Sequence, residues 1–350
     1  MLKPLVHSVF LSVCLLQPVA SAGESISHGS APVVVKRAQT HMGTLVSITA
    51  VADTNQQAQA SIEQGFREIK RLEQLLSTWL PESELSRVNR SAGLRPIIVS
   101  PETMELVSRS LEIARLTGGG FNIAVGPAVE LWSVTQRQTI PTAAELDAIK
   151  PLVDWTAIRL DREAGTIFLP RTGMRIDVGG IGKGYAADRA VAAMRHAGAS
   201  AGVVALSGDI KTFGRLPDGA KFPVGIQHPR REEAVLALID LEDEAMSTAG
   251  DYERFFERDG VRYHHILDPV SLQPARDCQS VTIIAKDGVW ADGLDTGIFV
   301  LGPAEGMKLV ERLPGVEAII VDKAGGLHVS AGLRERVEIV SDQTGELLAR

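Results

Sequence analysis

The chain has 350 residues, 45% of them hydrophobic, and its 36 lysines and arginines against 43 aspartates and glutamates give a net charge of −7. This length and apolar content can bury one large core or two ordinary ones. The acidic balance, without a basic block or a basic-aromatic stripe, argues against nucleic acid as a partner. An anionic substrate would need a local binding device, such as a metal ion or a ring of backbone amides, because the overall field repels it.

The first 22 residues have the composition of an export signal. Lys3 precedes an apolar stretch over residues 9–19, and Ala20-Ser21-Ala22 satisfies the small-residue rule for signal-peptidase cleavage. A membrane anchor is the competing interpretation, but Pro18 interrupts the stretch, which is shorter than the ~20 residues of a spanning helix. We therefore expect a soluble periplasmic protein whose mature chain begins near Gly23.

A lipoprotein is a second alternative, because residues 11–14 loosely resemble a lipobox. Lipidated cysteines usually follow glycine or alanine, and Val13 is a poor match before Cys14, so lipid anchoring is less favoured. Cleavage after Ala22 leaves Cys278 as the sole cysteine of the mature sequence. No intrachain disulfide can then form, although an exported protein would meet an oxidising compartment.

No repeat, low-complexity tract or Pro/Gly/Ser-rich linker divides the chain after a flexible leader at 23–32, so we expect one domain over residues 33–350. Apolar residues at helical spacing predict helices over residues 56–76, 103–116, 142–149, 185–196 and 291–301. Alternating or β-branched stretches predict strands over residues 42–51, 158–160, 166–169, 174–178, 202–206, 221–227, 234–241, 281–285 and 318–321. Because strands and helices do not alternate strictly, we expect an α+β or mixed fold rather than a doubly wound sheet.

A glycine-rich segment, Gly179–Gly184, follows a predicted strand and opens the helix predicted from Tyr185. Its glycines can present backbone amides to an anion at a helix N-terminus, and a phosphate group is the obvious guest. The segment is neither a Walker loop, since its Gly-Lys pair is followed by Gly, nor the GxGxxG dinucleotide pattern. A structural glycine turn is an equally good interpretation when the segment is taken alone.

Two histidines, His264 and His265, precede Asp268-Pro269 between a strand and a turn. Histidine can serve as a base or a metal ligand, but a histidine pair is more often structural, and Asp-Pro is an ordinary turn start. The additional ligands of a usual zinc site are missing from this stretch. Two further segments, residues 207–209 and 247–252, carry small residues that let the backbone approach a ligand closely.

Asp292 and Thr296 are four residues apart at the start of a predicted helix, and are therefore neighbours on one helical face. A carboxylate and a hydroxyl are both hard oxygen ligands, and Mg²⁺ takes only one or two protein oxygens besides water and substrate phosphate. The alternative is an N-cap aspartate on a helix whose threonine faces solvent. Trp79 and Phe121 could stack on an aromatic ring or belong to the core.

The order of these segments closely resembles the ApbE family of FAD:protein FMN transferases. The matching motifs extend over most of the chain, at residues 42–44, 83–89, 120–127, 131–132, 177–188, 207–210, 248–252, 265–269 and 291–302. The resemblance implies a T-fold-related α+β architecture that binds FAD in a cleft, with Mg²⁺ on the diphosphate. It also implies transfer of the FMN half of FAD to a threonine or serine hydroxyl of another protein, which forms a phosphoester and releases AMP.

The resemblance also assigns roles to individual residues. Asp292 and Thr296 supply side-chain oxygens to the metal, and Gly182 supplies its backbone carbonyl. His265 is the general-base candidate. The positions that contact FAD are Met42, Trp79, Gly120, Phe121, Asn122, Gly179, Tyr185 and Ile266. This assignment is physically coherent, because phosphoryl transfer depends mostly on positioning and charge neutralisation, and a hydroxyl nucleophile needs a base tuned near neutral pH.

Two positions depart from the family pattern. Asn122 stands where the family usually has aspartate, and Ala249 stands where serine is common. Both change contacts to flavin or phosphate without touching the metal ligands, so we expect activity to survive. The implied acceptor is a flavin-carrying subunit of an exported or membrane redox complex. One alternative is an FAD pyrophosphatase that releases FMN and AMP, and another is a non-catalytic flavin-binding maturation factor.

Overall fold

The computed structural model describes residues 31–340. The signal peptide expected at 1–22 and most of the leader expected at 23–32 lie outside the described residues, so these boundaries stay predictions. Helices occur at α1 Asn55–Leu76, α2 Glu84–Arg90, α3 Pro101–Leu116, α4 Gly126–Trp132, α5 Ala143–Ile149, α6 Gly182–His196 and α7 Gly288–Val310. Within residues 31–340, no helix has the length and apolarity needed to cross a membrane.

The strands pair into one large sheet and three small ones. They are β1 Val33–His41, β2 Thr44–Ala52, β3 Ile97–Ile98, β4 Arg159–Asp161, β5 Thr166–Phe168, β6 Ala201–Leu206, β7 Asp209–Phe213, β8 Phe222–Gln227, β9 Val235–Leu241, β10 Ala245–Gly250, β11 Phe255–Arg258, β12 Val261–His264, β13 Cys278–Ala285, β14 Glu317–Asp322, β15 Leu327–Val329 and β16 Val337–Ile339. The large sheet is antiparallel, in the order β1-β2-β6-β7-β10-β13-β14-β15. The small sheets are β16-β9-β8, β3-β5-β4 and the hairpin β11-β12.

The large sheet is covered on both faces. One face packs against the helices through an apolar core that includes Ile48, Leu206 and Ile283. The other face packs against the sheet β16-β9-β8 through a second core that includes Val203 and Ile284. Neighbouring residues of a strand point to opposite faces, so this double cover buries β6 and β13 along their whole length. Helices packed on a mainly antiparallel sheet confirm the predicted α+β fold class.

The strand predicted at 42–51 is wrong at its start. Met42 and Gly43 form the turn between β1 and β2, and His41 pairs with Thr44 across it. Both turn residues have positive φ, 49° for Met42 and 70° for Gly43, as in the type I′ turns that favour hairpins. Methionine rarely adopts positive φ, so residues 42–43 do not have the sequence of a typical hairpin turn. The turn, and the strand β1 that precedes it, were therefore not predicted.

The segment predicted as a strand at 174–178 forms no strand and pairs with none. The backbone of Ile176 exchanges hydrogen bonds of 2.7 and 2.9 Å with the side chain of Asn89. The N–H of Asp177 donates to the carbonyl of Ile123 at 2.8 Å. A buried side chain and a loop therefore satisfy the backbone polar groups that a neighbouring strand would otherwise satisfy.

Two predicted helices extend beyond their expected bounds. The helix predicted from 185 begins at Gly182, and the helix predicted over 291–301 runs from Gly288 to Val310. Gly302, with φ 78° and ψ 173°, interrupts this longer helix just before Pro303. Proline lacks the N–H that would continue the ladder, so the chain breaks and restarts there. The remaining predicted helices and strands lie within about three residues of observed elements, the usual uncertainty of such boundaries.

Candidate active site

Helices α6 and α7 cross at two glycines. A Cβ atom on Gly184 would lie 2.1 Å from the carbonyl oxygen of Gly288, and one on Gly288 would lie 2.5 Å from that of Gly184. At this crossing the Gly184 N–H donates to Asp292 Oδ2 at 2.8 Å. The N–H groups of Gly288 and Val289 donate to the Asp188 carboxylate at 2.7 and 2.9 Å. Each helix thus caps the other, which satisfies amides that helix N-termini leave unpaired.

The close crossing makes Gly184→Ala a destabilising change. The new methyl group would overlap the α7 backbone, so we expect a loss of about 2–4 kcal/mol in the free energy of unfolding. Gly182→Ala is the matched control, because the nearest atom to its Cβ is 3.6 Å away, on Val178. Thermal unfolding of both variants checks this prediction, and equal midpoints would contradict the tight crossing.

Three buried carboxylates, those of Asp209, Asp292 and Asp295, meet beside this crossing with oxygens within 4.8 Å of one another. Asp292 and Asp295 share one face of α7 with Thr296, whose Oγ1 donates to Asp295 Oδ1 at 3.1 Å. Ser247 Oγ lies 2.5 Å from Asp209 Oδ1 and 2.6 Å from Asp295 Oδ2. The predicted pair Asp292 and Thr296 therefore belongs to a larger oxygen cluster, defined here as these five residues and called the carboxylate cluster.

The carboxylate cluster holds more negative charge than its neighbours compensate. Lys183 Nζ donates to Asp209, so one ammonium faces three carboxylates and two negative charges remain when all are ionised. Burial, and then repulsion from Asp209, raises the pKa of Asp292 to about 8. Burial also raises the pKa of Asp295 well above its ordinary value. Hard oxygen donors with a deficit of two positive charges fit a divalent cation such as Mg²⁺.

The glycine loop, residues 179–184, reaches the carboxylate cluster directly. A Cβ on Gly180 would lie 2.8 Å from Thr296 Oγ1, so only glycine lets the backbone approach that hydroxyl. Gly179 is exposed beside it, and Gly182 forms the first residue of α6. The structure thus brings the predicted loop residues Gly179 and Gly182 next to the predicted metal pair.

A second loop, which contains Gly120, packs against α7 at Gly297. Gly120 is required there, because its Cβ would lie 2.9 Å from the carbonyl oxygen of Gly297. Phe121 is buried, and Asn122 Oδ1 accepts the N–H of Ala124 at 2.8 Å. This bond caps a short 3₁₀ helix, and an aspartate oxygen could accept it equally well. Asparagine at position 122, where the family usually has aspartate, therefore preserves the conformation of this loop.

The two histidines at the end of the β11-β12 hairpin have different environments. His264 is buried, its Nε2 donates to the Ala275 carbonyl at 2.7 Å, and its ring meets Phe299 edge-on at 5.6 Å. His265 Nδ1 is buried without a hydrogen-bond partner among the described residues. Burial, with the positive charge of Arg254 second, lowers the pKa of His265 to about 3. His264 is therefore structural, whereas His265 is neutral near pH 7 and has a ring nitrogen that no described residue engages.

Two of the predicted FAD-contacting residues lie on surface turns. Met42 occupies the β1-β2 turn, and its N–H donates to Glu73 Oε1 at 2.9 Å. Trp79 follows α1 and is 75% exposed. It lines a cavity of about 200 Å³ together with Asn89 and Arg175. A large exposed aromatic side chain beside a cavity suits ring stacking, and contact of either residue with FAD stays a prediction.

Two other predicted FAD-contacting residues are buried. Tyr185 is 3% exposed, and its hydroxyl donates to Glu105 Oε2 on α3 at 3.0 Å. Ile266 is buried directly after His265, with its N–H 3.3 Å from His264 Nδ1. The Tyr185 hydroxyl is thus committed to α3, so a contact between this residue and FAD would have to use its ring edge or backbone.

Four residues in or next to the carboxylate cluster were assigned no individual role from the sequence: Lys183, Asp209, Ser247 and Asp295. The first three lie in segments that the sequence singled out, residues 179–184, 207–209 and 247–252. The pairing of β7 with β10 sets Ile210 opposite Met246, and one step further brings Asp209 beside Ser247. Asp295 lies outside those segments, but its spacing could have identified it. It follows Asp292 by three residues, which places both on the same face of a helix.

Comparison with known proteins agrees with this geometry. The sequence profile of the ApbE family matches residues 42–320. This chain belongs to the ApbE family. A relative from Treponema pallidum (strain Nichols), named FAD:protein FMN transferase, is 33% identical over 346 residues, which is 94% of each chain. A relative of the same name from Klebsiella pneumoniae (strain 342) is 32% identical over 326 residues, covering 91% of this chain and 93% of its own.

Solved structures of ApbE proteins have the same fold. The ApbE protein of Thermotoga maritima superposes with a TM-score of 0.81 at 30% identity, over 87% of this chain and 99% of that one. The flavin transferase ApbE of Vibrio cholerae gives a TM-score of 0.77 at 27% identity, again over 87% and 99%. The predicted family, the ApbE-like α+β architecture and the enzyme class are thereby confirmed. The roles of individual residues stay predictions.

Proposed function

We propose that this ApbE-family chain is a Mg²⁺-dependent FAD:protein FMN transferase acting on a threonine or serine of an exported or membrane redox protein. The observation that carries the proposal is the buried carboxylate cluster beside the glycine loop, in which a single ammonium group faces three carboxyl groups. The relatives named FAD:protein FMN transferase support the reaction. A periplasmic setting rests on the export-like sequence of residues 1–22.

Asp292 and Thr296, with the carbonyl of Gly182, would hold the metal. Bound Mg²⁺ would neutralise diphosphate oxygens and orient the phosphorus for displacement. One carboxylate oxygen of Asp292 accepts the Gly184 N–H, which fixes the carboxylate and leaves its other oxygen for a cation. The neighbouring aspartates of the cluster supply the remaining negative charge.

In the proposed reaction, the acceptor hydroxyl attacks the FMN phosphorus while the bond to the AMP oxygen breaks. His265 would take the hydroxyl proton, because its imidazole is neutral at physiological pH. In the ligand-free chain burial holds the pKa of His265 at about 3, with the charges of Arg254 and Lys183 lowering it further. An anionic diphosphate would offset those two charges and so raise the basicity of His265 when the substrate is bound.

The proposal is tested by incubating the mature protein with FAD, Mg²⁺ and an exported flavin-carrying acceptor domain. Intact-mass spectrometry should show an acceptor heavier by one FMN, and replacing the acceptor threonine with valine should remove that mass shift. Free FMN with an unchanged acceptor would identify an FAD pyrophosphatase instead. Intact bound FAD would identify a non-catalytic flavin-binding maturation factor.

A further inference from the structure

Arg254 lies opposite His265 at the end of the β11-β12 hairpin. The ladder pairs Phe255 with His264, and one step beyond it the His265 N–H donates to the Arg254 carbonyl at 3.1 Å. Residues opposite each other in an antiparallel pair project their side chains to the same side. The guanidinium of Arg254 and the imidazole of His265 therefore share one side of the hairpin.

The guanidinium of Arg254 is uncommitted, whereas nearby arginines are paired. Its side chain is exposed and forms no hydrogen bond or ion pair in the part of the chain that the structure describes. By contrast, Arg230 and Arg262 both contact the carboxylate of Asp251, at 2.6 and 3.4 Å. A guanidinium offers five N–H donors in a planar fork. The charge of Arg254 acts on the Glu253 carboxylate without a hydrogen bond to it, so these donors remain available to an anion.

The charge of Arg254 also reaches the glycine loop. It acts on Asp177, where it opposes the rise in pKa that burial causes, and on Lys183 at the start of α6. Lys183 itself is paired with Asp209, so its charge is already used. An anion between the hairpin and the loop would thus meet Arg254, the imidazole of His265 and the amides of the loop together.

We propose that Arg254 binds phosphate oxygens of the dinucleotide diphosphate that is cleaved, and stabilises the charge that develops on the leaving AMP. This inference rests on the proposed transferase function. In that step the acceptor oxygen bonds to the FMN phosphorus, the bond from that phosphorus to the bridging oxygen breaks, and His265 takes the hydroxyl proton. AMP leaves with the bonding electron pair. The planar fork of a guanidinium suits this task, because two N–H groups can hold two phosphate oxygens in a fixed orientation.

The experiment compares Arg254→Ala and Arg254→Lys with the control Arg258→Ala. Arg258 is exposed in the same hairpin and donates to the Gln138 carbonyl at 3.0 Å, so the control also removes one positive charge. Flavin fluorescence titrations would measure affinity for FAD and for riboflavin, which has no phosphate. For Arg254→Ala we expect FAD affinity to fall about tenfold and kcat/KM for FMN transfer to fall about 100-fold. Arg254→Lys should recover part of both losses, whereas riboflavin affinity and the control should be unchanged.

Other outcomes are equally decisive. FAD affinity and kcat/KM within about twofold of wild type would overturn the role of Arg254 and leave the transferase proposal intact. An equal loss of riboflavin affinity would also overturn it, because it would indicate a general disturbance of the flavin site. If the wild-type protein transfers no FMN, the transferase proposal fails, and the comparison of FAD with riboflavin still decides whether Arg254 contacts phosphate.

Discussion

Asp292→Asn is expected to abolish Mg²⁺-supported transfer while leaving the metal-free protein at least as stable as wild type. Asparagine keeps an oxygen that can accept the Gly184 N–H, but it removes one of three mutually repelling carboxylates. Because burial and the charge of Asp209 raise the pKa of Asp292 to about 8, the ionised form is disfavoured in the folded chain. The substitution removes that charge without opening a cavity.

Differential scanning fluorimetry with and without Mg²⁺ separates the two effects. A cation that binds only the native state stabilises it in proportion to RT ln(1 + [L]/Kd), so wild type should gain stability with Mg²⁺. Asp292→Asn should lose that gain, and its transfer rate should fall by more than about 100-fold. The measurement thus distinguishes loss of metal binding from loss of folding.

Asp188→Asn is the matched control for this experiment. Asp188 is also a largely desolvated carboxylate that accepts helix N–H groups, and burial raises its pKa to about 6. It lies outside the carboxylate cluster, so its replacement should leave the response to Mg²⁺ in place. An undiminished response in Asp292→Asn, or an equal loss in Asp188→Asn, would contradict the metal-binding role of Asp292.

The parts of the site that are local in the chain could be predicted from the sequence. Asp292 and Thr296 are one helical turn apart, so periodicity alone places them on one face. The bridging hydroxyl of Ser247 could not be predicted, because it joins residues 38 and 48 positions away. Those contacts depend on the register between β7 and β10 and on the packing of α7, which short sequence windows do not specify.

The same distinction between local and long-range contacts explains the fold. Long amphipathic helices such as α1 were predicted because one apolar stripe faces one core. Strand β10 is made mostly of small residues without alternation and has a single β-branched residue, Thr248, so it was not recognised. The segment at 174–178 has strand-like alternation, but the side chain of Asn89 occupies its backbone hydrogen bonds. Tertiary contacts therefore override the local preference of these residues for a strand.

His265→Ala should retain binding of FAD and Mg²⁺ but lower the transfer rate by about 10²- to 10⁴-fold, the usual contribution of a general base. Its Nδ1 has no partner among residues 31–340, so removing the ring breaks no side-chain hydrogen bond at that atom. His264→Ala provides the contrast. It removes the bond to Ala275 and the edge contact with Phe299, so it should lower the unfolding midpoint. Single-turnover kinetics with FAD titrations would separate binding from chemistry.

The pH dependence of stability gives an independent check on the environment of His265. Burial lowers the pKa of His265 to about 3 and that of His264 to about 4, both below the ordinary value of 6.5. The unfolded chain therefore binds these protons more readily, and stability should fall as the pH drops from about 6.5 towards 3. Urea unfolding across this range should show a shallower loss in His265→Ala than in wild type. An equal loss of stability with falling pH in both proteins would mean that burial does not hold the imidazole neutral. A transfer rate of His265→Ala equal to that of wild type would remove His265 from the mechanism.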